Sequence, residues 1–504
     1  MKKVVIIGAG PGGLAAAMLA ARAGHRVTLI EQLEHVGGRT SLIRGDGFTF
    51  DTGPTFFLYP DILREIFAAC DYTFDDEVDL IRIDPQYRLV FGQGGSLLAT
   101  PQVELMDRRI GELAPVDRGA FARFMDENRR KFDHISPALQ RPFSRLSDAL
   151  KWDMIKMFPT VRPHQNLYSY LQRFFKDERT LLTFSFQSKY LGMSPWSCPS
   201  LFSILAFLEY EFGVFHPRGG CGAVSETMAR LARDMGVDIH LGETARQITV
   251  HNRTATGVVT DRATYEADAV INNADFAHST MKLIAPEHRR KWTDRRITRR
   301  RYSCSCFMVY LGIEGPVEGP LHHNIFFSDE YKQNLADIES NFRLHENPSM
   351  YVQNATPTDP SLAPEGMSTL YLLIPVPHCH PGIDWPQARD HYRSVAFRQL
   401  KKLGVEDIEP RIRFEKIVTP DDWRDWQQVH LGATFNMAHS LRQMLSFRPH
   451  NRFDDLRQLY LVGGGTHPGS GLPVIYESAR ISTRLMLEDF GQSTDWLEPG
   501  PLVT

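Results

Sequence analysis

Val4-Val5-Ile6-Ile7-Gly8-Ala9-Gly10-Pro11-Gly12-Gly13 opens the part of the chain whose reading decides the fold. A short continuous apolar run predicts a buried strand, and the alanine-rich segment Leu14 to Ala23 after the glycines has strong helix propensity. Gly24 ends that helix, and a second apolar run, Val27 to Ile30, stops at Glu31. Strand, glycine turn, helix and strand form a parallel unit, because parallel strands need a crossover. Of the glycines Gly8, Gly10, Gly12 and Gly13, one permits the tight turn, one lets backbone approach a pyrophosphate, and one allows close helix–strand packing. The helix N-terminus, with Pro11 in its first turn, presents unpaired N–H groups to phosphate. Glu31, at the tip of the second strand, is placed to accept hydrogen bonds from a ribose diol, and an acid there disfavours a 2′-phosphate and hence NADP. The unit predicts dinucleotide binding, which FAD and NAD share.

At 504 residues the chain exceeds the roughly 250–300 at which single cores stop growing, so two lobes are expected. Helical periodicity and many aromatics between roughly Val116 and Phe212, Phe121, Phe124, Phe174 and Phe175 among them, predict a largely helical insertion. Short strands resume at Val237 to Leu241, Ala245 to Val250, Thr256 to Thr260 and Ala269 to Ile271, which returns the chain to the cofactor lobe. Further strand-like runs, Ser303 to Gly312 and Thr369 to Val376, are assigned to a second sheet. A net charge of −3 gives the whole molecule no attraction to nucleic acid. Six scattered cysteines suit a reducing cytosol, the N-terminus lacks the pattern of a signal peptide, and no apolar run is long enough to span a bilayer. The expectation is a cytoplasmic protein, free or lying on a membrane surface. No metal site is expected: His378-Cys379-His380 lies between prolines without a partner pair, and Cys304 and Cys306 lie two apart on one strand, facing the same side.

Six further stretches carry a family resemblance. Val36-Gly37-Gly38-Arg39-Thr40 is followed by Gly47-Phe48-Thr49-Phe50-Asp51-Thr52-Gly53-Pro54, and the chain ends its last strand in Leu459-Tyr460-Leu461-Val462-Gly463-Gly464-Gly465-Thr466-His467-Pro468-Gly469-Ser470-Gly471-Leu472-Pro473. Between them lie Phe184 to Gly192, with Phe215-His216-Pro217-Arg218-Gly219-Gly220, and Gly236-Val237 through Ile248. This order is similar to that of the FAD-containing amine oxidase and phytoene desaturase superfamily, and the C-terminal string resembles that of bacterial-type carotenoid desaturases. The resemblance implies an α/β fold: a Rossmann-type FAD-binding lobe from residues 1–100, 213–290 and 450–490, with a discontinuous mixed α+β substrate lobe from 101–212 and 291–449. It places Gly38 and Arg39 along the diphosphate and ribityl chain, Thr55 and the segment before it near the flavin ring, and the main chain at Ala245 against adenine. Gly464, Gly465, Pro473 and Val474 would meet the ring edge, where the N-terminus of a helix, Tyr476 to Leu487, favours negative charge on a reduced flavin. Gly465 departs from many related flavoproteins, which carry an acid near this point for the ribityl hydroxyls.

The implied activity is FAD-dependent desaturation of a long isoprenoid hydrocarbon such as phytoene or diapophytoene, with quinone or dioxygen reoxidising the flavin. A terminal-methyl carotenoid oxidase, a hydroxysqualene-type enzyme and a non-catalytic flavin-binding scaffold are the alternatives. Hydride loss from carbon leaves an acidic allylic cation, so the demand for a base is modest. His467 is the candidate beside the flavin-facing glycines; Glu209 and Glu211 are carboxylates in apolar surroundings. A hydrocarbon substrate comes from membrane, so peripheral association with the inner face of the cell membrane is expected, and homo-oligomers are possible. Two stretches could dock: Arg289 to Arg301, in which eight of thirteen residues are Lys or Arg around Trp292, and an amphipathic helix at Leu146 to Phe158.

Overall fold

The protein is described from a computed structural model, which covers residues 1–143, 162 and 164–498. The expected helix at Leu146 to Phe158 lies outside these residues. A five-stranded parallel sheet has the order Asp238–His240, Arg26–Ile30, Lys3–Ile7, Ala269–Asn272, Leu459–Leu461. Its strands come from three distant parts of the chain. The first crossover is the helix Pro11–Arg22, buried continuously from Pro11 to Ala20. It packs between the sheet, the helix Cys221–Asp234 and the last helix, Leu472–Asp489. A helix covered on all sides is apolar all round, and its alanines let the neighbours come close. The expected strand at Ala245 to Val250 forms, as Ala245–His251, but in a separate antiparallel sheet with Thr254–Thr260 and Thr264–Glu266.

The second sheet has seven strands, in the order Ile412–Val418, Ser305–Glu314, Met367–Val376, Met350–Gln353, His323–Phe327, Tyr87–Phe91, Ser96–Ala99. All pairs are antiparallel except His323–Phe327 with Tyr87–Phe91. Residues 87–99 therefore lie in this sheet and not with the cofactor segments to which an expected boundary at residue 100 assigned them. The parallel pairing to a strand more than 200 residues away holds them there, from Asn324 opposite Arg88 to Phe327 opposite Phe91.

Alternation along Ser305–Glu314 sorts two cores. Phe307, Val309, Leu311 and Ile313 pack with Trp385, Tyr392 and Val395 of the helix Trp385–Lys401. Cys306, Met308 and Tyr310 face the other way, toward Phe48, Phe50 and Trp423. That second face meets the cofactor segments. A helical layer, Val103–Leu113, Ala120–Leu139 and Ile204–Phe212, closes the far side around stacked rings such as Phe175 on Phe184, 4.5 Å between centroids. Among the described residues no helix is long and apolar enough to cross a membrane.

Candidate functional site

The glycine turn is built from close approaches. Gly8 holds φ +95°, and a Cβ on Gly13 would sit 2.0 Å from the Gly8 carbonyl oxygen. A Cβ on Gly12 would meet Val462 at 2.6 Å, so this glycine lets the first helix touch the last strand's extension. Gly10 caps the helix without any side-chain bond, leaving the first N–H groups to a ligand. Glu31 is buried, and its two oxygens each accept a main-chain N–H, from Ala9 at 2.7 Å and Leu33 at 3.0 Å. Burial raises its pKa, and these bonds oppose the rise. The carboxylate thus orients the turn and keeps lone pairs for a diol.

The Gly-Gly-Arg segment folds back on this turn. Gly37 donates its N–H to the Ala9 carbonyl at 2.8 Å, and Gly38, at φ +52°, lies with its would-be Cβ 3.6 Å from the Gly10 Cα. Arg39 donates to the Thr434 carbonyl at 2.7 Å. With the Asn436 amide nitrogen turned to Asp275, its oxygen accepts from both terminal nitrogens of Arg39 at 3.2 Å. Burial lowers the Arg39 pKa and the Asp275 carboxylate opposes this. Asp51 of the Asp-x-Gly-Pro segment points away, accepting from Gly222 N–H at 2.9 Å, while Gly53, Pro54 and Thr55 face inward.

One cavity of about 910 Å³ joins these pieces. Gly8, Gly10, Pro11, Glu31, Gly38, Arg39, Thr55, Ala245, Gly464, Pro473 and Val474 all line it. Gly12 and Gly13 lie behind its wall as packing glycines, and two other expectations are not met there. Gly465 is turned outward, where a Cβ would meet Phe276 at 2.5 Å, so the position has no room for an acid. His467 is fully buried off the cavity: its Nε2 donates to the Arg141 carbonyl at 3.0 Å, and its ring packs on Phe143. Burial drives its pKa down to about 3, so it stays neutral. The Pro468 that follows it, not the imidazole, reaches the cavity.

The pocket continues from Gly53 and Thr55 between apolar walls. Leu58, Ile62, Phe132, Ile135, Leu205 and Leu208 form one side; Cys306, Met308, Leu373 and Trp423 belong to the other. Three residues not singled out from the sequence shape it. Arg448, fully buried, donates to the carbonyls of Met437, Gln443, Gly464 and Thr466, and burial lowers its pKa to about 9. With the Gly464 carbonyl turned to Arg448, the Gly465 N–H points the opposite way across a trans peptide. Lys189, quoted above only within a matching string, lines the cavity with its ammonium unpartnered among the described residues, and burial lowers its pKa. Tyr190 lines it too, donating to Glu209 at 2.6 Å. Of the two candidate carboxylates, Glu211 forms a forked ion pair with Arg129 near the surface, and Glu209 is fully buried.

An extended dinucleotide fits this arrangement: a capless helix start at one end, a carboxylate with spare lone pairs, a second helix start at Gly471–Pro473 without a side-chain cap, and an unpaired cation between them. The other tempting clusters hold nothing of the kind. Cys304 and Cys306 are free buried thiols, Cys379 bonds to the Pro420 carbonyl, and among the described residues no metal-ligating cluster occurs. In the basic run Trp292 is buried, donating to Asp454 at 2.9 Å, so it is no membrane anchor. Arg289 is buried against Asp294, whereas Arg290, Arg295, Arg296, Arg299 and Arg301 remain exposed.

Residues 11–487 match the family model of flavin containing amine oxidoreductases. A 4,4′-diapophytoene desaturase (4,4′-diapolycopene-forming) of Methylomonas sp. is 41% identical over 96% of this chain and 95% of its own. A zeta-carotene-forming phytoene desaturase of Myxococcus xanthus is 36% identical over 96% and 94%. In solved structures, an oxidoreductase from Methanosarcina mazei covers 95% of this chain and 98% of its own at TM-score 0.63 and 18% identity. A putrescine oxidase bound to putrescine does so over 97% and 99% at TM-score 0.60 and 15% identity. These last two share the fold.

Proposed function

The chain belongs to the flavin-containing amine oxidoreductase family, and from that premise we infer that it is an FAD-dependent desaturase of a long isoprenoid hydrocarbon such as phytoene or diapophytoene. The observation that carries the reading is the single cavity that begins at a phosphate-binding glycine turn and ends between Leu58, Phe132, Ile135 and Leu208. Bound FAD supplies the hydride acceptor. The first helix start and Arg39 bind its diphosphate side, Glu31 its ribose, and the main chain at Ala245 its adenine. Gly464, Pro473 and Val474 border its ring, and the Lys189 ammonium favours negative charge nearby. The apolar walls hold the chain extended and dry, so a cation formed on it meets no water. A quinone or dioxygen takes up the electrons.

The membrane is the source of substrate in this reading. Leu441 and Phe447, 44% and 51% exposed, flank Met444, which lines the cavity. Gln443 between them bonds Arg301 through both its amide atoms, at 3.0 and 2.9 Å. An apolar lip beside exposed arginines suits an anionic lipid surface on the cytoplasmic side. The test reconstitutes the purified protein with FAD in liposomes carrying phytoene or diapophytoene and follows products by chromatography and absorption. Lengthened conjugation is expected; oxygenated products from a lycopene-type feed alone would favour the oxidase. Replacing Leu441 and Phe447 by Ser should weaken sedimentation with anionic vesicles while FAD binding persists.

A further inference from the structure

Glu209 is fully buried in the helix Ile204–Phe212, yet no ion pair reaches it among the described residues. Its Oε1 accepts from Tyr190 at 2.6 Å, and its Oε2 accepts from Gln187 at 3.0 Å and from Tyr87 at 3.1 Å. With its one hydrogen on Glu209, the Tyr87 oxygen accepts from the Tyr210 hydroxyl at 2.9 Å. The neighbouring cation on the same turn, Lys189, faces Cys304, Cys306 and Glu339 instead. Of Glu209 and its three donors, Tyr190 lines the cavity, its ring 5.6 Å from that of Phe56 beside Thr55. Its oxygen donates to Glu209 and accepts nothing among the described residues, so its lone pairs are open to a ligand. Of the histidines that line the cavity, His439 is engaged, its Nε2 accepting from the Ser470 N–H at 3.0 Å, and His278 sits in the helix Phe276–Leu283 against the strand Ala245–His251. His467 is off the cavity, and His323 stacks behind Phe56 at 4.0 Å, bonded to Tyr351.

We propose that Tyr190, held by Glu209, takes the proton that the substrate releases after hydride loss. The inference rests on the desaturase reading. Hydride loss to the oxidised flavin leaves an allylic cation. A C–H bond on the adjacent carbon then breaks, and its electron pair becomes the new C=C bond. The proton lands on the Tyr190 oxygen as the hydrogen already there passes to Glu209 Oε1, turning the carboxylate into a carboxylic acid. Tyr190 is the catalytic group and Glu209 the positioning one. Burial raises the Glu209 pKa to about 7, against the pull of the bonds from Tyr190, Gln187 and Tyr87, so the carboxylate is available near neutrality without a paired cation to tie it down.

The test uses the full-length, FAD-loaded protein in liposomes with phytoene or diapophytoene. Product formation by the wild type should rise with pH through about 7 to a plateau, as the Glu209 carboxylate forms. Positioned proton transfer is worth ~10²–10⁴-fold, so Tyr190→Phe and Glu209→Gln should each lose at least about tenfold and flatten that limb. FAD affinity by fluorescence titration and thermal midpoints should stay close to wild type for Tyr190→Phe. An infrared titration should show a carboxyl band disappearing through the same pH range in the wild type, shifted in Tyr190→Phe and absent in Glu209→Gln. Wild-type rate and pH limb in either folded variant overturns the proposal, and Tyr190→Phe decides it should Glu209→Gln not fold. A wild type that binds FAD but desaturates neither hydrocarbon overturns the desaturase reading and the relay with it.

Discussion

Among the described residues Arg448 lies with its guanidinium against four main-chain carbonyls and no carboxylate, so peptide dipoles stabilise its charge. Two of those carbonyls, of Gly464 and Thr466, belong to the C-terminal glycine cluster. Arg448→Met strands the Thr466 carbonyl and leaves that of Gly464 with only the Ser470 hydroxyl at 3.3 Å, and each buried unsatisfied carbonyl costs ~1–3 kcal/mol. A large fall in thermal midpoint and failure to take up FAD, read by retained flavin absorbance, are expected. Lys189 is the opposite case: an ammonium buried without a partner among the described residues, which costs the flavin-free protein stability. Lys189→Met should raise the melting temperature of the flavin-free protein, by ~1 kcal/mol or more in unfolding free energy, while weakening FAD affinity. A lower melting temperature would show that an unseen partner already satisfies it. At this scale Glu31 is legible from spacing, because its partners Ala9 and Leu33 lie within the same local unit, and Arg39 from the resemblance, although Thr434 and Asn436 hold it from far along the chain. Arg448, Lys189 and Tyr190 are not, since what makes them functional is who surrounds them.

The first helix and the strand before it stand or fall on one contact. A methyl at Gly13 would press to 2.0 Å of the Gly8 oxygen, and its nearest neighbours are backbone or the Asn273 amide, which itself bonds the Gly8 carbonyl at 3.1 Å. Gly13→Ala must therefore push the helix off the strand, and the protein should purify without flavin. Gly24→Ala is the control at the helix's other end. It sits at φ +82° with nothing within 4 Å of a Cβ, so only left-handed backbone strain of ~1–2 kcal/mol is expected, with flavin retained. Flavin content and far-ultraviolet dichroism of the two variants check this. The strand–turn–helix–strand unit is readable from sequence because its pieces are contiguous and its periodicities change at the glycines. The strand Tyr87–Phe91 carries an alternating pattern that any half-buried sheet would satisfy, and only its pairing with His323–Phe327 says which sheet it joins.

Across the whole molecule, buried carboxylates set how stability follows pH. Burial alone would raise the Asp359 pKa, but bonds from His216 at 3.1 Å, from the Ser361 hydroxyl and from the Gly219 N–H hold it well below the usual range. A depressed folded-state pKa gives stability that is present above the unfolded value of ~3.9 and is lost as pH falls below it. Asp359→Asn should therefore remove part of the acid destabilisation seen below about pH 4. Asp51 and Glu209 act in reverse, raised to about 6 and about 7 by burial. The unfolded chain ionises them first, so they withdraw stability as pH climbs from their ordinary values of ~4 through those figures. Denaturant titrations should show a decline over that window that Asp51→Asn and Glu209→Gln each flatten.

By itself the sequence determined the parallel sheet around Lys3–Ile7 and the nucleotide-binding turn, because these are written in short-range periodicity and in glycines that only close contacts require. The resemblance added the flavin and the kind of hydrocarbon. Tertiary structure alone decided that His467 turns into the core, that Trp292 is buried under its arginines, that residues 87–99 complete a distant sheet and that Tyr190 is bridged to Glu209 at the cavity wall. Each of these depends on which side of an element meets which neighbour in the folded chain, from 19 residues away for Tyr190 and Glu209 to 326 for His467 and Arg141. Burial and partnership of a single polar group arise from that meeting and leave no local pattern to read.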